Sequence, residues 1–302
     1  MTGPSAVLAA LDGSHVLAVP RGTDVLPLAR AWFPAATWAH EPVSPAQAAA
    51  SRPMTGARFR GISFAPVSTT GVLALDQGTE VVGPHQLDAA DARVLTLPGV
   101  DWDLYGLPVV HAPGSAVPLD LVLGWASAVA RRTGGGLVPV TRARAHVPDP
   151  ASAVDLTLWS AVPLRVQDAV PLVRPALSGS RVSAPPPGES AADGFVLTAT
   201  YEYDGVLELR CARAREVPVV LQTLDWREHG PWGYHVTWHP PEPHEAGLPH
   251  PSQLNVIARR RVAPAVARIV ATLWRSAGGT IVDADGFVVP HEELDERARA
   301  VR

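Results

Sequence analysis

The fold is decided by a stretch that occurs twice in the chain: AVPRGTDVLPLAR at residues 18–30 and AVPLRVQDAVPLVR at residues 161–174. An arginine, an aspartate, a Pro-Leu pair and a closing arginine follow in the same register in both copies, and Arg21 and Arg165 are 144 positions apart. An internal repeat of this length determines the architecture of a chain, so it is interpreted before any other pattern. We therefore expect two copies of one folding unit.

Three further pairs of segments occur in the same order in the two halves. They are VDW at 100–102 with LDW at 224–226, HAP at 111–113 with HPP at 239–241, and TGGGLV at 133–138 with AGGTIV at 277–282. The length of 302 residues suits two domains of ordinary size. We predict one domain at residues 1–147 and a second at residues 148–302.

Hydrophobic periodicity predicts the same series of elements in each half. In the second half, Asp204-Gly205 separates two alternating runs, which is typical of a β-hairpin. We predict strands at residues 153–159, 195–203, 206–211, 217–224, 234–238 and 280–282, and helices at 166–177, 264–276 and, on the surface, 290–302. In the first half we predict strands at residues 15–19, 71–75, 80–82, 93–97, 109–110 and 137–140, and helices at 24–32 and 119–132.

The element order β-α-β-β-(β)-α-β packs most simply as two helices on one face of a mostly antiparallel sheet. This is the ferredoxin-like α/β plait. We therefore predict an α+β protein made by tandem duplication of a ferredoxin-like domain, with two pseudo-symmetric halves. Asp24 and Asp168 stand where they could cap the first helix of each half. Residues repeated in both halves are more typical of a framework than of a single active site.

Composition limits the classes of function. The chain is 47% hydrophobic and 18% charged, and it has no apolar run long enough to cross a membrane. A net charge of −4 makes nucleic acid an unexpected partner. The single cysteine, Cys211, excludes an internal disulfide, and the opening residues do not resemble a signal peptide. We expect a soluble cytoplasmic protein that binds another protein. A homodimer is an open alternative.

The most unusual segment is a Trp/His/Pro-rich insertion at residues 225–251. Five of the eleven histidines fall within 22 residues of this region. Large rigid aromatic side chains dominate the energetics of protein interfaces. The favoured hypothesis is a non-catalytic binding protein whose recognition surface comprises Trp226, His229, Trp232, Tyr234, His235, Trp238, His239 and, from the first half, Trp38.

The same histidines allow a second hypothesis, a metal- or haem-dependent enzyme with its site at residues 235–250 near the cleft between the domains. In a strand at 234–238, His235 and Thr237 point the same way, with His239 beyond them. Imidazole and carboxylate groups are the ligands that zinc prefers. The candidate ligands for a divalent metal such as zinc are therefore His235, His239, His244 and Glu245.

His235-Val236-Thr237-Trp238 also resembles the His-x-Thr-x motif of the two-histidine phosphoesterases, which have one motif in each of two pseudo-symmetric lobes. That resemblance implies an acid/base pair of histidines, but the first half offers no matching motif. Tandem ferredoxin-like halves also occur in haem-binding proteins similar to chlorite dismutase, which is a likeness of fold alone. The glycines at 134–136 follow a helix, so they do not indicate a phosphate-binding loop.

Overall fold

The computed structural model describes residues 4–43, 69–110, 114–183, 194–245, 248 and 251–299. Within this part of the chain it contains two six-stranded antiparallel sheets and six α-helices, an α+β architecture. The chain divides into two compact units, Met1–Pro150 and Ala151–Arg302. None of the described helices is both long enough and apolar enough to span a bilayer.

The first unit is built on one sheet. Its strands are β1 (His15–Pro20), β2 (Thr37–His40), β3 (Gly71–Ala74), β4 (Glu80–Leu87), β5 (Trp102–Leu107) and β6 (Gly136–Val138), and its helices are α1 (Pro4–Ala10), α2 (Val25–Arg30) and α3 (Leu119–Thr133). The strand order is β2-β3-β4-β5-β1-β6. Helix α3 packs on β1 and β6.

The second unit is also built on one sheet. Its strands are β7 (Leu156–Ser160), β8 (Arg181–Ser183), β9 (Gly194–Tyr201), β10 (Gly205–Arg213), β11 (Trp232–His239) and β12 (Thr280–Asp283), and its helices are α4 (Val166–Val173), α5 (Gln253–Ala277) and α6 (His291–Arg299). The strand order is β12-β7-β11-β10-β9-β8. Helix α5 packs on β7, β10 and β11, α4 packs on β9 and α5, and α6 packs on α5.

The two sheets have the same topology. Reading the second sheet backwards from β8 gives β8-β9-β10-β11-β7-β12, which matches β2-β3-β4-β5-β1-β6 strand for strand. The strand register also corresponds. In the first sheet Leu17 lies opposite Tyr105 and Leu137. In the second, Leu158 lies opposite Tyr234 and Ile281. Each unit therefore places a buried tyrosine at the same point of its sheet.

A glycine follows the helix that precedes the last strand of each unit, α3 in the first and α5 in the second. Gly134 and Gly278 have φ of +69° and +64°, which favours glycine, and Gly134 has the left-handed conformation of a common helix cap. A Cβ atom on the next residue, Gly135 or Gly279, would lie 2.3 Å from the Ala18 oxygen or 2.1 Å from the Trp159 oxygen. Both glycines are therefore needed where the chain passes from helix to last strand.

Several predicted matches between the halves are wrong in detail. Ala18 lies in β1, but residues 161–163 follow the end of β7 and belong to a loop. Asp24 caps α2 by accepting a hydrogen bond from the Leu26 nitrogen at 3.2 Å, whereas Asp168 lies inside the first turn of α4. Trp102 begins β5 and is buried, whereas Trp226 lies in a 3-10 turn and is exposed. His111 lies outside the described residues.

Three predicted strands are also wrong. Residues 93–97 overlap a 3-10 turn, Ala92–Leu95, residues 217–224 include another, Val219–Leu221, and residues 109–110 lie beyond the end of β5. Short apolar runs suit a strand or a covering turn equally well, so periodicity alone cannot separate them. Helix α5 begins eleven residues before Pro264, because Ser252 caps it through a 3.2 Å hydrogen bond from the Asn255 nitrogen.

Candidate functional site

The two faces of the second sheet differ in chemistry. One face packs against α4 and α5 and forms a continuous apolar core, to which β7, β9, β10 and β11 contribute alternate residues. We call the other face, which carries the remaining residues of these strands, the polar face. It contains Thr157 on β7, His235 and Thr237 on β11, Glu208 and Arg210 on β10, Thr198 on β9, and Arg181 and Ser183 on β8.

The strand register arranges the polar face in two rows that run across the sheet. In the first row, which we call the arginine row, Thr157, His235, Arg210, Val196 and Ser183 lie side by side. In the second, the glutamate row, Thr237, Glu208, Thr198 and Arg181 lie side by side. Residues two apart on a strand are separated by about 6.7 Å, so the two rows are close neighbours.

His235 contacts three neighbouring residues on the polar face. Its Nδ1 lies 3.1 Å from the Thr157 hydroxyl, and its ring meets the Trp159 ring edge to face, with centroids 5.8 Å apart and planes at 83°. A Cβ atom added to Gly233 would lie 2.6 Å from Nε2, so the ring rests over that glycine. Burial, together with the nearby charge of Arg210, lowers the pKa of His235.

One end of this face is covered by the chain itself. Trp159 and Val282 pack with Leu221 in a small apolar cluster, and residues from 214 to 224 contribute its rim. The segment that was predicted to be a strand therefore acts as a lid over β7 and β12. Arg210 and Glu208 lie on β10, beyond this cluster, and both side chains are partly exposed.

The predicted recognition residues do not form one surface. Tyr234 is fully buried in the core, where its hydroxyl donates to the Val162 oxygen at 2.7 Å and accepts from the Leu164 nitrogen at 2.6 Å. Trp232 and Trp238 are partly buried and pack on the same core. The Trp238 indole also donates to the Asp204 oxygen at 2.7 Å. These three aromatic residues stabilise the fold.

The other members of the predicted recognition surface are scattered. Trp226 is 64% exposed, and the Arg227 guanidinium lies 5.3 Å from its ring centroid. His229 is buried, His239 is exposed at the end of β11, and Trp38 is partly buried on the edge strand β2 of the first unit. Only His235 of the predicted set lies within the two rows of the polar face.

The predicted metal ligands are not brought together. His235 and His239 are four residues apart on one strand, which separates them by about 13 Å. His244 pairs with Glu242 at 3.8 Å, and Glu245 accepts a 2.9 Å hydrogen bond from the Ser252 hydroxyl. Among the described residues, no three histidine, cysteine or acidic side chains are placed to hold one ion. His250 lies outside the described residues.

The corresponding face of the first sheet is apolar and buried over β1 and β5, whereas Glu80 and Val82, on the same face of β4, are exposed. Val16, Ala18, Trp102 and Leu104 lie there in one buried cluster, which also includes Val7 of α1, Leu11 just after α1 and Leu95 of the 3-10 turn. Gly106 pairs with Val16 in the first sheet, and His235 pairs with Thr157 at the same place in the second sheet. Gly106 therefore occupies the position of His235. The first unit therefore has no histidine to match the His-x-Thr-x motif.

Sequence reasoning missed Glu208, Arg210, Thr157 and Thr198. Their signal was present in the alternation of β10, where Leu207, Leu209 and Cys211 are buried and the residues between them are not. The Asp204-Gly205 turn fixes the phase of that alternation, because Gly205 has φ of +84°. The polar members of a predicted strand could therefore have been assigned to one face.

No family model matches the chain, and no curated protein or solved structure is significantly similar to it.

Proposed function

We propose that the chain is a non-catalytic binding protein whose polar face is an interaction surface for a protein partner. In this proposal the first unit is a scaffold and the second unit makes the contact. The contact residues are Arg210, Glu208, His235, Thr237 and Thr198. We also place the protein in a reducing compartment such as the cytoplasm, because its single cysteine is buried in the core and needs no oxidised partner.

We further propose that the two units arose by duplication of a ferredoxin-like domain. The strands β6, β1, β5 and β4 lie in that order with α2 and α3 in the connections, which is the order 4-1-3-2 of the β-α-β-β-α-β plait. The strands β12, β7, β11 and β10 repeat the order. Each unit extends the plait by two strands, β2 and β3 in the first and β8 and β9 in the second.

The observation that carries the proposal is the difference between the two corresponding faces. Both sheets have the same strand order, so the fold itself does not require one face to be polar. The second unit places Thr157, His235, Arg210 and Thr198 where the register of the first unit has Val16, Gly106, Val82 and Ala74. Glu208 is matched by Glu80, which is exposed as Val82 is. Polar groups kept where the fold accepts apolar ones favour a role in recognition.

The arrangement favours binding over catalysis. Catalytic groups converge on one reacting atom within a concave site. Here the polar groups are spread over five strands, and the hydroxyl of Thr157 already occupies one ring nitrogen of His235. Charged groups distributed in this way steer association and set the register of a complex.

The test compares what three immobilised proteins retain from a lysate of the native host: wild type, Arg210→Ala and Arg213→Ala. Arg213 is the matched control because it lies on the same strand, is exposed, and points to the opposite face. We expect wild type and Arg213→Ala to retain the same proteins by quantitative mass spectrometry, and Arg210→Ala to lose them. Identical retention by all three would overturn the proposal.

A further inference from the structure

We propose that residues 215–224, which we call the lid, open and close independently of the rest of the second unit. When the lid opens, it uncovers Trp159 and Val282 and adds an apolar area to the polar face. This inference rests on the proposed function, because it takes the polar face to be the contact surface for a protein partner. It adds a means by which access to one end of that surface is controlled.

The lid is held to the sheet by apolar contacts alone. Leu221 is its only buried side chain and packs on Trp159 and Val282. The backbone nitrogens of Leu221, Gln222 and Leu224 donate to oxygens of residues 218, 219 and 221, which all belong to the lid. In the part of the chain that the structure describes, no group of the lid forms a hydrogen bond or an ion pair with a residue outside it.

The corresponding segment of the first unit is tied to its surroundings. It connects β4 to β5, as the segment with the lid connects β10 to β11, and it also contains a 3-10 turn with a buried leucine, Leu95. A segment with few hydrogen bonds to the rest of a domain opens more readily than one that is tied. Three hydrogen bonds fix the first-unit segment: from the Arg21 guanidinium to the Asp88 carboxylate at 2.8 Å, from the Ala145 nitrogen to the Thr96 hydroxyl at 2.7 Å, and from the Trp102 indole to the Pro98 oxygen at 2.9 Å.

Trp159, beneath the lid, lacks the kind of hydrogen bond that Trp102 forms. Trp159 is 5% exposed, and its indole nitrogen is buried without a partner in the described part of the chain. The Trp102 indole, by contrast, donates to an oxygen of the segment that corresponds to the lid. A buried donor without a partner weakens the closed state, because water accepts its hydrogen bond once the lid opens.

The hydrogen bonds near the lid lie beyond its two ends. The Ala214 nitrogen donates to the Pro231 oxygen at 2.8 Å, and the Thr280 hydroxyl donates to the Glu228 oxygen at 2.7 Å. Both bonds can persist while residues 215–224 move, because neither involves a lid residue. Lids that control binding sites pivot in this way, on a few residues at the ends of a segment.

The open lid extends the polar face at the β7 and β12 end. Val282 pairs with Thr157 and so continues the arginine row, and Trp159 lies two residues from Thr157 on the same face of β7. The His235 ring already contacts Trp159 edge to face. A partner that binds the open form therefore meets a tryptophan, an aliphatic side chain and polar groups side by side. Tryptophan is among the residues that contribute most to the binding energy of interfaces.

The first measurement follows the exchange of indole N–H protons with solvent by nuclear magnetic resonance, with Trp159→Phe and Trp102→Phe used to assign the two signals. In wild type we expect the Trp159 proton to exchange at least about ten-fold faster than the Trp102 proton. The rate at Trp159 should not depend on urea below the unfolding transition, because a local opening exposes little surface. Equal rates with the same urea dependence would overturn the lid.

Leu221→Ala tests whether the lid controls this exchange. Loss of the buried leucine should raise the exchange rate of the Trp159 proton more than about ten-fold. Val219→Ala is the matched control, because Val219 lies on the same 3-10 turn and is 38% exposed. It should change the rate less than about three-fold. Circular dichroism melts establish that both variants are folded, and equal effects of the two substitutions would also overturn the lid.

Capture from the host lysate tests the control of access. The apparent affinity of a partner for the open form rises with the fraction of molecules that are open. We therefore expect immobilised Leu221→Ala to retain at least about three-fold more of the captured proteins than wild type, and Val219→Ala to retain the same amount. Equal or lower retention by Leu221→Ala would overturn the control of access by the lid.

Arg210→Ala separates this inference from the proposed function. If Arg210→Ala loses the captured proteins but Leu221→Ala retains no more than wild type, the polar face binds a partner without control by the lid. If Arg210→Ala and wild type retain the same proteins, the proposed function fails, and the control of access fails with it. The exchange rates of the Trp159 proton still decide in that case whether the lid opens.

Discussion

The two sheets of this protein use one topology for two purposes. In the first unit, the face opposite α2 and α3 is closed over β1 and β5 by α1 and by the 3-10 turn Ala92–Leu95, while Glu80 and Val82 on β4 are exposed. In the second unit, the corresponding face is apolar where residues 214–224 cover Trp159 and Val282 and at Val196, which is buried. The comparison shows that the fold depends on the helix-packed face, whereas the opposite face can be closed or polar.

The largest difference between the two faces should appear when a side chain is removed from each. Trp102 is 1% exposed on the closed face, and its indole donates to the Pro98 oxygen at 2.9 Å. We expect Trp102→Ala to lower the free energy of unfolding of the first unit by about 3–5 kcal/mol, because it leaves a large cavity. Urea denaturation followed by circular dichroism measures this loss.

Thr237→Ala is the matched change on the polar face. We expect it to lower the free energy of unfolding by less than about 0.5 kcal/mol. Hydrogen exchange should show faster exchange of the β1 and β5 amides in Trp102→Ala only. An equally large loss for Thr237→Ala would mean that the polar face is part of a core, and the contrast between the two units would be wrong.

A second difference lies at the hairpins β3–β4 and β9–β10, which occupy the same place in the two units. The Asp76 carboxylate accepts hydrogen bonds from the nitrogens of Gly78, Thr79 and Ala116 at 2.9, 2.6 and 2.9 Å, and from the Ser115 hydroxyl at 3.0 Å. It thereby ties the turn to the segment that begins α3. Asp204 instead pairs with Arg261 at 3.4 Å in a partly exposed position.

We expect Asp76→Asn to destabilise the first unit by about 2 kcal/mol, because the amide turns a donor towards backbone N–H groups. Asp204→Asn should lower the free energy of unfolding by less than about 1 kcal/mol, because an exposed ion pair contributes no more than that. Burial opposes ionisation of Asp76, but the hydrogen bonds outweigh it and hold its pKa well below the usual range.

A carboxylate with a lowered pKa stabilises the fold above its unfolded pKa of about 3.9, and the effect is lost as the pH falls further. The difference between wild type and Asp76→Asn should therefore shrink below pH 4, as measured by urea denaturation at several pH values. A difference that stays constant at pH 3 would contradict this role of the carboxylate.

The sequence predicted the elements better than it predicted the site. The Asp204-Gly205 turn, the glycines after α3 and α5, and most strands followed from local patterns, because turn geometry and periodicity are properties of short segments. The structural role of Trp232, Tyr234 and Trp238 did not follow from local patterns. Their spacing is the same whether they face solvent or the core, and only the packing of α4 and α5 decides it. Arg210 was missed because cross-strand neighbours are distant in sequence.

The smallest expected effect is the pH dependence that His235 contributes to the second unit. Burial and the charge of Arg210 lower its pKa, so the folded state prefers the neutral ring. The unfolded chain takes up the proton first, near pH 6.5. Stability from this residue is therefore present above pH 6.5 and declines as the pH falls, by no more than about 1.4 kcal/mol per pH unit for one proton.

His235→Gln removes the titrating ring, so its stability should fall less than that of wild type between pH 7 and 5. His85 is the matched residue in the first unit, because burial lowers its pKa as well. His85→Gln should leave the pH dependence of the second unit unchanged, which hydrogen exchange of the β10 and β11 amides can follow separately. If His85→Gln and His235→Gln change the pH dependence of those amides equally, that pH dependence does not arise from the imidazole of His235.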